Sequence, residues 1–93
     1  GGHYGYNFRL LYAQGAAAPG GARDYIVNGR MIGGFAAVAW PVAYGMTGIM
    51  TFIVGPDGIV YQQDLGAETA ERAGLLASFN PDKGWEKADM TPP

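Results

Sequence analysis

Residues 40–61 read WPVAYGMTGIMTFIVGPDGIVY, and this stretch decides the fold. It alternates apolar runs with turn residues, and Asp57 is its single charged residue. The run 49–54 is apolar on both faces, which predicts a strand inside a sheet. Gly-Pro-Asp-Gly at 55–58 has the residue order of a type I turn with a bulge, and 59–65 then completes a hairpin. The stretch therefore predicts neighbouring antiparallel strands whose turns need no ligand to explain them.

Upstream of that stretch, alternating side chains predict a first strand at residues 6–12 with one covered face. One face of it carries Tyr6, Phe8, Leu10 and Tyr12. Aromatic residues on a sheet are more often core than a ligand platform. Asn28-Gly29, between two apolar triplets, predicts a two-residue hairpin because both turn positions need positive φ. Residues 35–40 are apolar on both faces and predict a central strand that is covered on both sides.

The period changes to that of a helix after Gly66. Ala70, Ala73, Leu76 and Ala77 share one helical face. Gly74 would let this helix approach the sheet closely, Asn80-Pro81 would end it, and residues 82–93 form an extended tail anchored by Trp85. The order predicts an α+β domain: an antiparallel β-sheet of about four to six strands with one C-terminal helix packed on one face.

Length and composition limit the domain organisation and the classes of partner. The 93 residues predict a single domain, 1–93, and the start without methionine suggests the C-terminal part of a longer precursor. The net charge of -2 and the dispersed lysines and arginines argue against nucleic acid as a partner. Charged residues make up 15%, against about 25% in typical domains. We therefore expect another chain to cover part of the surface.

Residues that could carry chemistry are few and scattered. With no cysteine, the chain has no disulfide, thiolate zinc site or thiol nucleophile. His3 is the single histidine and has no orienting partner nearby in sequence, and Ser78 lies outside any Gly-x-Ser-x-Gly motif. The acids do not form a calcium loop, and no run reaches the ~18 apolar residues of a membrane span. We expect no catalytic residue, metal or cofactor, with His3 and Asp64 as the best candidates if the chain is an enzyme.

Two further sets of residues are candidates for binding. A polar cluster near the Asn-Gly hairpin could bind an anion or a sugar, although cross-strand ion pairing on the solvent face is the simpler explanation. It consists of Arg9, Arg23, Tyr25 and Arg30. A second set of aromatic residues could contact another protein. It consists of His3, Tyr4, Tyr6, Trp40 and Tyr44.

A dense series of motifs resembles the bacterial domain-of-unknown-function family 2950 from about His3 to Trp85. The motifs include HYGYxFR at 3–9, APGGARDY at 18–25, NGRM at 28–31, YGxTGxMTFIV at 44–54 and DGxVYQxDLG at 57–66. The resemblance implies an exported envelope protein of Gram-negative bacteria, periplasmic or otherwise extracytoplasmic. It supplies no catalytic residues. The segments GFxxxAxP at 34–41 and GxTGxxTF at 45–52 are also similar to the globular sheet of type IV pilin-like proteins.

These observations favour a non-enzymatic periplasmic accessory or structural domain that acts by protein–protein contact. Its partners would be other protein chains of the cell envelope or further copies of itself, and a partner could hold it at a membrane. A small-ligand module for a sugar or an anion is the alternative of a different class. A pilin-like filament subunit and an enzyme are weaker alternatives, because the long apolar helix of pilins and a catalytic set are both missing.

Overall fold

The computed structural model describes residues 5–89. These residues form short strands, one 3-10 turn at Gly66–Glu68 and one helix, α1, at Thr69–Gly74. The strands are β1 (Tyr6–Leu11), β2 (Ala13–Gln14), β3 (Arg23–Asp24), β4 (Ile26–Val27), β5 (Arg30–Met31), β6 (Ala36–Pro41), β7 (Thr51–Val54), β8 (Val60–Gln63) and β9 (Glu86–Lys87). Five of them make an antiparallel sheet in the order β1-β6-β7-β8-β9. The α+β class is confirmed.

The quoted stretch forms the middle of this sheet, as predicted. Val38 pairs with Ile53, and Ile53 pairs with Tyr61. In the turn between β7 and β8, the Gly58 amide donates to the Gly55 carbonyl over 3.0 Å, and Gly58 has φ +80°. The Asn-Gly hairpin is also confirmed, since Asn28 and Gly29 lie at φ 53° and 77° between β4 and β5.

The core lies on one side of the sheet. Its buried residues are Leu11, Ala18, Tyr25, Ala36, Val38, Ile53, Leu65, Ala73 and Phe79. Helix α1 packs on β6, and the Phe79 ring lies 6.0 Å from the Tyr61 ring, measured between centroids. The Phe79 ring also packs against Gly55, where an added Cβ would come within 2.5 Å of it. These contacts cover one face of β6, β7 and β8.

The covered face of β1 is the one that carries Arg9 and Leu11. Leu11 is 1% exposed, whereas Phe8 is 61% exposed on the other face. Assigning the aromatic residues of this strand to the core was therefore wrong for Phe8 and Tyr12, both of which are exposed. The covered face is decided by tertiary packing, because α1 and Phe79 lie over the Leu11 side of β1. The alternation of side chains alone does not show which side a helix will cover.

Helix α1 is shorter than the pattern predicts. It ends at Gly74, six residues before Asn80, because the backbone amides of Leu75 and Leu76 bond to carbonyls three residues back. The predicted close approach at Gly74 is wrong: this residue is exposed, and an added Cβ there would meet open space. Ala73 is the residue that meets the core.

Two segments that read as loose in the sequence are tied into the fold. The buried Gln14 amide donates to the carbonyls of Pro19 (2.8 Å) and Gly21 (2.7 Å), which holds the small-residue loop 14–22 in place. In the tail, Trp85 packs against the core, and the next two residues form β9, which pairs with β8. Residues 82–89 are thus more than the extended tail that the sequence predicts.

Candidate functional site

The second face of the sheet is apolar, and no helix or strand of residues 5–89 lies over it. Residues paired across antiparallel strands point to the same side, so the register identifies the side chains on this surface. We call it the open face. It consists of Tyr6, Phe8 and Leu10 on β1, Ala37, Ala39 and Pro41 on β6, Phe52 and Val54 on β7, and Val60 and Gln62 on β8. The prediction that β6 is covered on both sides is therefore wrong.

The open face has a trough along its middle. Ala37 and Ala39 on β6 carry only methyl groups, and larger side chains on β1 and β7 stand on either side. The two ridges are separated by two strand spacings, about 9–10 Å. Tyr6 closes one end of the trough: its ring lies 6.0 Å from the Phe52 ring between centroids, and its hydroxyl donates to the Met50 carbonyl over 3.0 Å.

The open face carries no charged side chain on β1, β6, β7 or β8. Phe8 and Leu10 are 61% and 43% exposed, Pro41 is fully buried at the Tyr6 end, and the remaining side chains of this face are half-buried. The nearest charge in the register is Glu86 on the edge strand β9, which accepts a hydrogen bond from the Gln62 amide over 3.1 Å. A contiguous apolar surface of this kind on a small domain is typical of an interaction site.

Arg9 lies on the opposite, covered side and is used to hold the helix. Its Nη2 donates to the carbonyls of Ala73 (2.6 Å) and Leu76 (2.8 Å) at the C-terminal end of α1. The positive charge there also complements the negative end of the helix dipole. Arg9, predicted as a ligand-binding residue, therefore binds the end of α1 in the structure.

Of the other candidate ligand residues, Arg23 and Tyr25 are brought together. The Arg23 guanidinium carbon lies 5.1 Å above the centre of the Tyr25 ring, and its Nη2 donates to the Gly33 carbonyl over 2.9 Å. Tyr25 itself is fully buried, and its hydroxyl donates to Gln14 Oε1 over 2.9 Å. Burial raises the pKa of Tyr25 above its ordinary value of 10.0. Arg30 is exposed on β5 of the Asn-Gly hairpin.

Arg23 also borders a cleft of about 270 Å³, together with Gln14, Pro19, Pro56, Asp57 and Phe79. Asp57 places a carboxylate on the same cleft, which opposes the binding of an anion. Binding of a sugar or an anion stays a prediction.

The aromatic residues proposed for protein contact lie in different places. Tyr6 belongs to the open face, and burial raises the pKa of its hydroxyl. Trp40 packs against the core on the covered side. Tyr44 donates to Asp64 Oδ1 over 2.7 Å, and this hydrogen bond raises the pKa of Tyr44. His3 and Tyr4 lie outside the described residues.

Sequence reasoning missed most of the open face. It did not select Phe8, Leu10, Phe52 or the two alanines of the trough. The sequence feature that could have indicated this face is β6, where small residues alternate with larger ones within an apolar run. Small residues on one face of a central strand leave room for another element to approach closely.

Within residues 5–89 no group of three or more histidine, aspartate or glutamate side chains could hold a metal ion. No helix in the same part of the chain is long and apolar enough to cross a membrane.

The fold and the open face define a small α+β domain whose antiparallel sheet is covered on one side only. The chain belongs to the family described as "Protein of unknown function (DUF2950)", whose model matches residues 1–88. The comparison with curated proteins and the comparison with solved structures each find no match. The similarity to pilin-like proteins is not shown by these comparisons.

Proposed function

We propose that this domain is a non-enzymatic accessory or structural module that acts by protein–protein contact through the open face. The observation that carries the proposal is the exposure of Phe8 and Leu10 beside an uncharged trough on a sheet whose other side is fully used by the core.

The energetic reason is the apolar area that water contacts on this face. Burial of apolar surface contributes about 25 cal/mol per Å², so covering even 200 Å² would favour association by roughly 5 kcal/mol before the costs of binding. Phe8 alone offers a large part of such an area, since aromatic side chains bury about 150–250 Å² when fully covered. A partner that covers the whole face would gain several times the contribution of Phe8.

The polar residues support the non-enzymatic part of the proposal. Those best placed for chemistry are bonded to the backbone or to one another. The Asp64 carboxylate accepts hydrogen bonds from the Tyr44 hydroxyl and the Gly66 amide (2.9 Å). Asp57 accepts from the Ile59 amide and Asp82 from the Gly84 amide. These roles explain the carboxylates as turn-forming groups.

A location in the cell envelope is part of the same proposal. It rests on the resemblance of the motifs at 3–9, 44–54 and 57–66 to exported proteins, and the low charged fraction is compatible with a surface that another chain covers.

Site-specific photo-crosslinking in the cells that make the protein tests the contact. A photoreactive phenylalanine derivative would replace Phe8 on the open face or, as the control, Leu75, which is 83% exposed beyond the end of α1. We expect discrete crosslinked products from position 8 and none from position 75. Equal or absent crosslinking at the two positions would refute the proposal.

A further inference from the structure

We infer that the outer edge of β1 binds an extended peptide segment of a partner chain, which pairs antiparallel with residues 6–10 as a further strand of the five-stranded sheet. The inference rests on the proposed contact function and names the form of the partner, but it uses the edge of the sheet rather than the open face. In this mode of recognition, main-chain hydrogen bonds supply affinity and alternate side chains supply specificity.

The hydrogen bonding of β1 shows which of its backbone groups are free. In an antiparallel pair, residues whose N–H and C=O groups point to the partner strand alternate with residues whose groups point away from it. The Val42 amide donates to the Gly5 carbonyl over 2.8 Å, so odd-numbered residues point to β6 and even-numbered residues of β1 point to the outer edge. We call the latter the edge residues: Tyr6, Phe8 and Leu10.

Contacts at both ends of β1 agree with this assignment. Pro41 lies opposite Tyr6, in a pair that needs no N–H from β6, which is where a strand tolerates proline. Tyr12 continues the outward-pointing series, and there its carbonyl accepts from the Tyr25 amide over 2.8 Å. Among residues 5–89, β1 itself pairs with β6 alone, so the N–H and C=O groups of the edge residues have no strand partner in this part of the chain.

The segment that could pair with this edge begins beside it and then turns away. β3 pairs with β2, and Tyr25, directly after β3, reaches Tyr12. The following residues belong to β4, which pairs with β5 rather than with β1. A cavity of about 410 Å³ is bordered by residues 9–13 and by Asp24 and Ile26, where the two segments separate. An added strand in line with β3 would begin at this cavity.

The two edges of the sheet differ in their protection. Edges that stay unpaired in natural proteins are kept short, charged, bulged or interrupted by proline. β9 fits that description, with two exposed charged residues, Glu86 and Lys87. β1 has six residues with neither lysine nor proline, and its one charged side chain, Arg9, is bound to the end of α1. The edge of β1 therefore lacks the features that keep an edge free, and we expect a strand to cover it.

The surroundings of the edge define the side chains of the segment. Residues that pair with the edge residues share their side of the sheet, next to Phe8 and Leu10, so apolar β-branched side chains fit there. The residues between them point to the other side, where Arg9 and Asp24 line the cavity and polar side chains fit. The partner chemistry is thus an extended segment of about five residues, roughly 17 Å long, that alternates apolar and polar side chains.

Amide hydrogen exchange of the 93-residue chain, measured by NMR with a synthetic peptide, tests the inference. The peptide is acetyl-Val-Thr-Val-Thr-Val-Lys-amide, whose valines are placed to pair with the edge residues. Without peptide, the amides of Phe8 and Leu10 should exchange faster than those of Asn7 and Arg9, which point to β6. At about 2 mM peptide, we expect exchange at Phe8 and Leu10 to slow at least about 10-fold, as a dissociation constant below about 200 µM requires.

Matched controls separate main-chain pairing from apolar contact. A methyl group on the nitrogen of the central valine blocks a donor that would face β1 and should weaken binding at least about 10-fold. A methyl group on the nitrogen of the preceding threonine, which faces away, should weaken binding less than about 3-fold. On the protein, Leu10→Pro removes an outward N–H without removing a donor to β6 and should weaken binding at least about 10-fold, whereas Leu10→Ala keeps the N–H and should weaken it less than about 3-fold.

Several outcomes overturn the edge pairing. These are slow exchange at Phe8 and Leu10 before peptide is added, no slowing of that exchange at about 2 mM peptide, or equal effects of the two N-methyl groups. If circular dichroism shows that Leu10→Pro unfolds the chain, the two methylated peptides decide with the unchanged protein.

The results also distinguish this inference from the proposed function. A peptide that shifts the resonances of Phe52 and Val54 and binds equally well with either N-methyl group occupies the open face, which overturns the edge pairing and leaves the contact function standing. Crosslinks from position 8 to another protein, without edge protection by the peptide, have the same meaning. Edge protection by the peptide together with equal crosslinking at positions 8 and 75 in cells would refute the proposed function alone.

Discussion

Replacing Arg9 by methionine should loosen helix α1 and lower the stability of the whole domain. The change keeps the apolar stem of the side chain and removes the guanidinium that donates to the Ala73 and Leu76 carbonyls over 2.6 and 2.8 Å. A six-residue helix has little stability of its own, because nucleating a helix is unfavourable and short helices depend on tertiary contacts.

The magnitude follows from the bonds that are lost. Hydrogen bonds from a charged donor contribute about 1.5–3 kcal/mol each, and a cation at a helix C-terminus adds about 0.3–1 kcal/mol. Part of this is offset, because the buried Arg9 Nε has no hydrogen-bond partner and its desolvation cost disappears with it. We therefore expect Arg9→Met to cost about 2–3 kcal/mol, or roughly 8–20 °C in Tm for a domain of this size.

Urea unfolding followed by circular dichroism measures the difference. Arg9→Lys should lose about half as much, since a single ammonium group cannot form the same planar fork. Arg72→Met is the control: Arg72 makes one bond, from Nη1 to the Leu65 carbonyl over 2.9 Å, and because this residue is exposed, competition from water should reduce the cost to about 1 kcal/mol or less. A loss below about 0.5 kcal/mol in Arg9→Met, or one equal to that of Arg72→Met, would refute the reasoning.

Three further predictions concern the core and its turns. Tyr25→Phe leaves the buried Gln14 Oε1 without its donor and should cost about 1–3 kcal/mol in urea unfolding, whereas Tyr12→Phe, on the surface, should cost nothing measurable. Gly55→Ala would place a methyl group within 2.5 Å of the Phe79 ring and should destabilise the domain by about 1–3 kcal/mol. Gly74→Ala meets open space on α1 and should stabilise the domain by about 0.5–1 kcal/mol. A thermal melt in which Gly74→Ala has the lower Tm of the two variants would contradict this packing. Burial raises the pKa of Tyr25 and Tyr6 above 10.0, so the folded chain holds these protons more tightly than the unfolded chain. Their contribution is complete below pH 10 and is lost as the pH rises through the raised folded-state values, which predicts alkaline unfolding above about pH 10 that is less steep in Tyr25→Phe; tyrosinate absorbance that appears well before unfolding would argue against it.

The sequence predicted the elements whose formation depends on local chemistry. The Asn28-Gly29 hairpin follows from positive φ at both positions, and the 55–58 turn follows from its proline and glycine. The antiparallel pairing of β7 with β8 follows from the short turn that joins them, whereas β6 and β7 are joined by the longer loop 42–50.

The side that the core occupies could not be predicted in the same way. Alternation along β1 is equally compatible with a covered aromatic face and with a covered Arg9–Leu11 face. The choice depends on where α1 and Phe79 dock, and that is decided by contacts between residues more than 60 positions apart, such as Arg9 with Ala73. The same limitation hid the open face, because an apolar strand pattern does not show which of two faces remains uncovered.

The candidate ligand residues show a related limitation. Arg9 and Arg23 lie in polar positions of the sequence, and nothing local indicates that their guanidinium groups end on backbone carbonyls of Ala73, Leu76 and Gly33. Carbonyls exposed at helix ends and in glycine turns are common partners for arginine, but the chain has to fold before the pairs can be seen.

Cysteine accessibility in intact cells tests the central claim, that the open face is covered by a protein partner, most directly. The chain has no cysteine, so Phe8→Cys and Leu75→Cys each introduce a single reactive thiol. A maleimide that does not cross the cytoplasmic membrane would be added after the outer membrane is made permeable. The account predicts that position 75 reacts both in cells and after purification at high dilution, whereas position 8 is protected in cells and reacts only after dilution. Equal reaction of the two positions in cells would contradict the account.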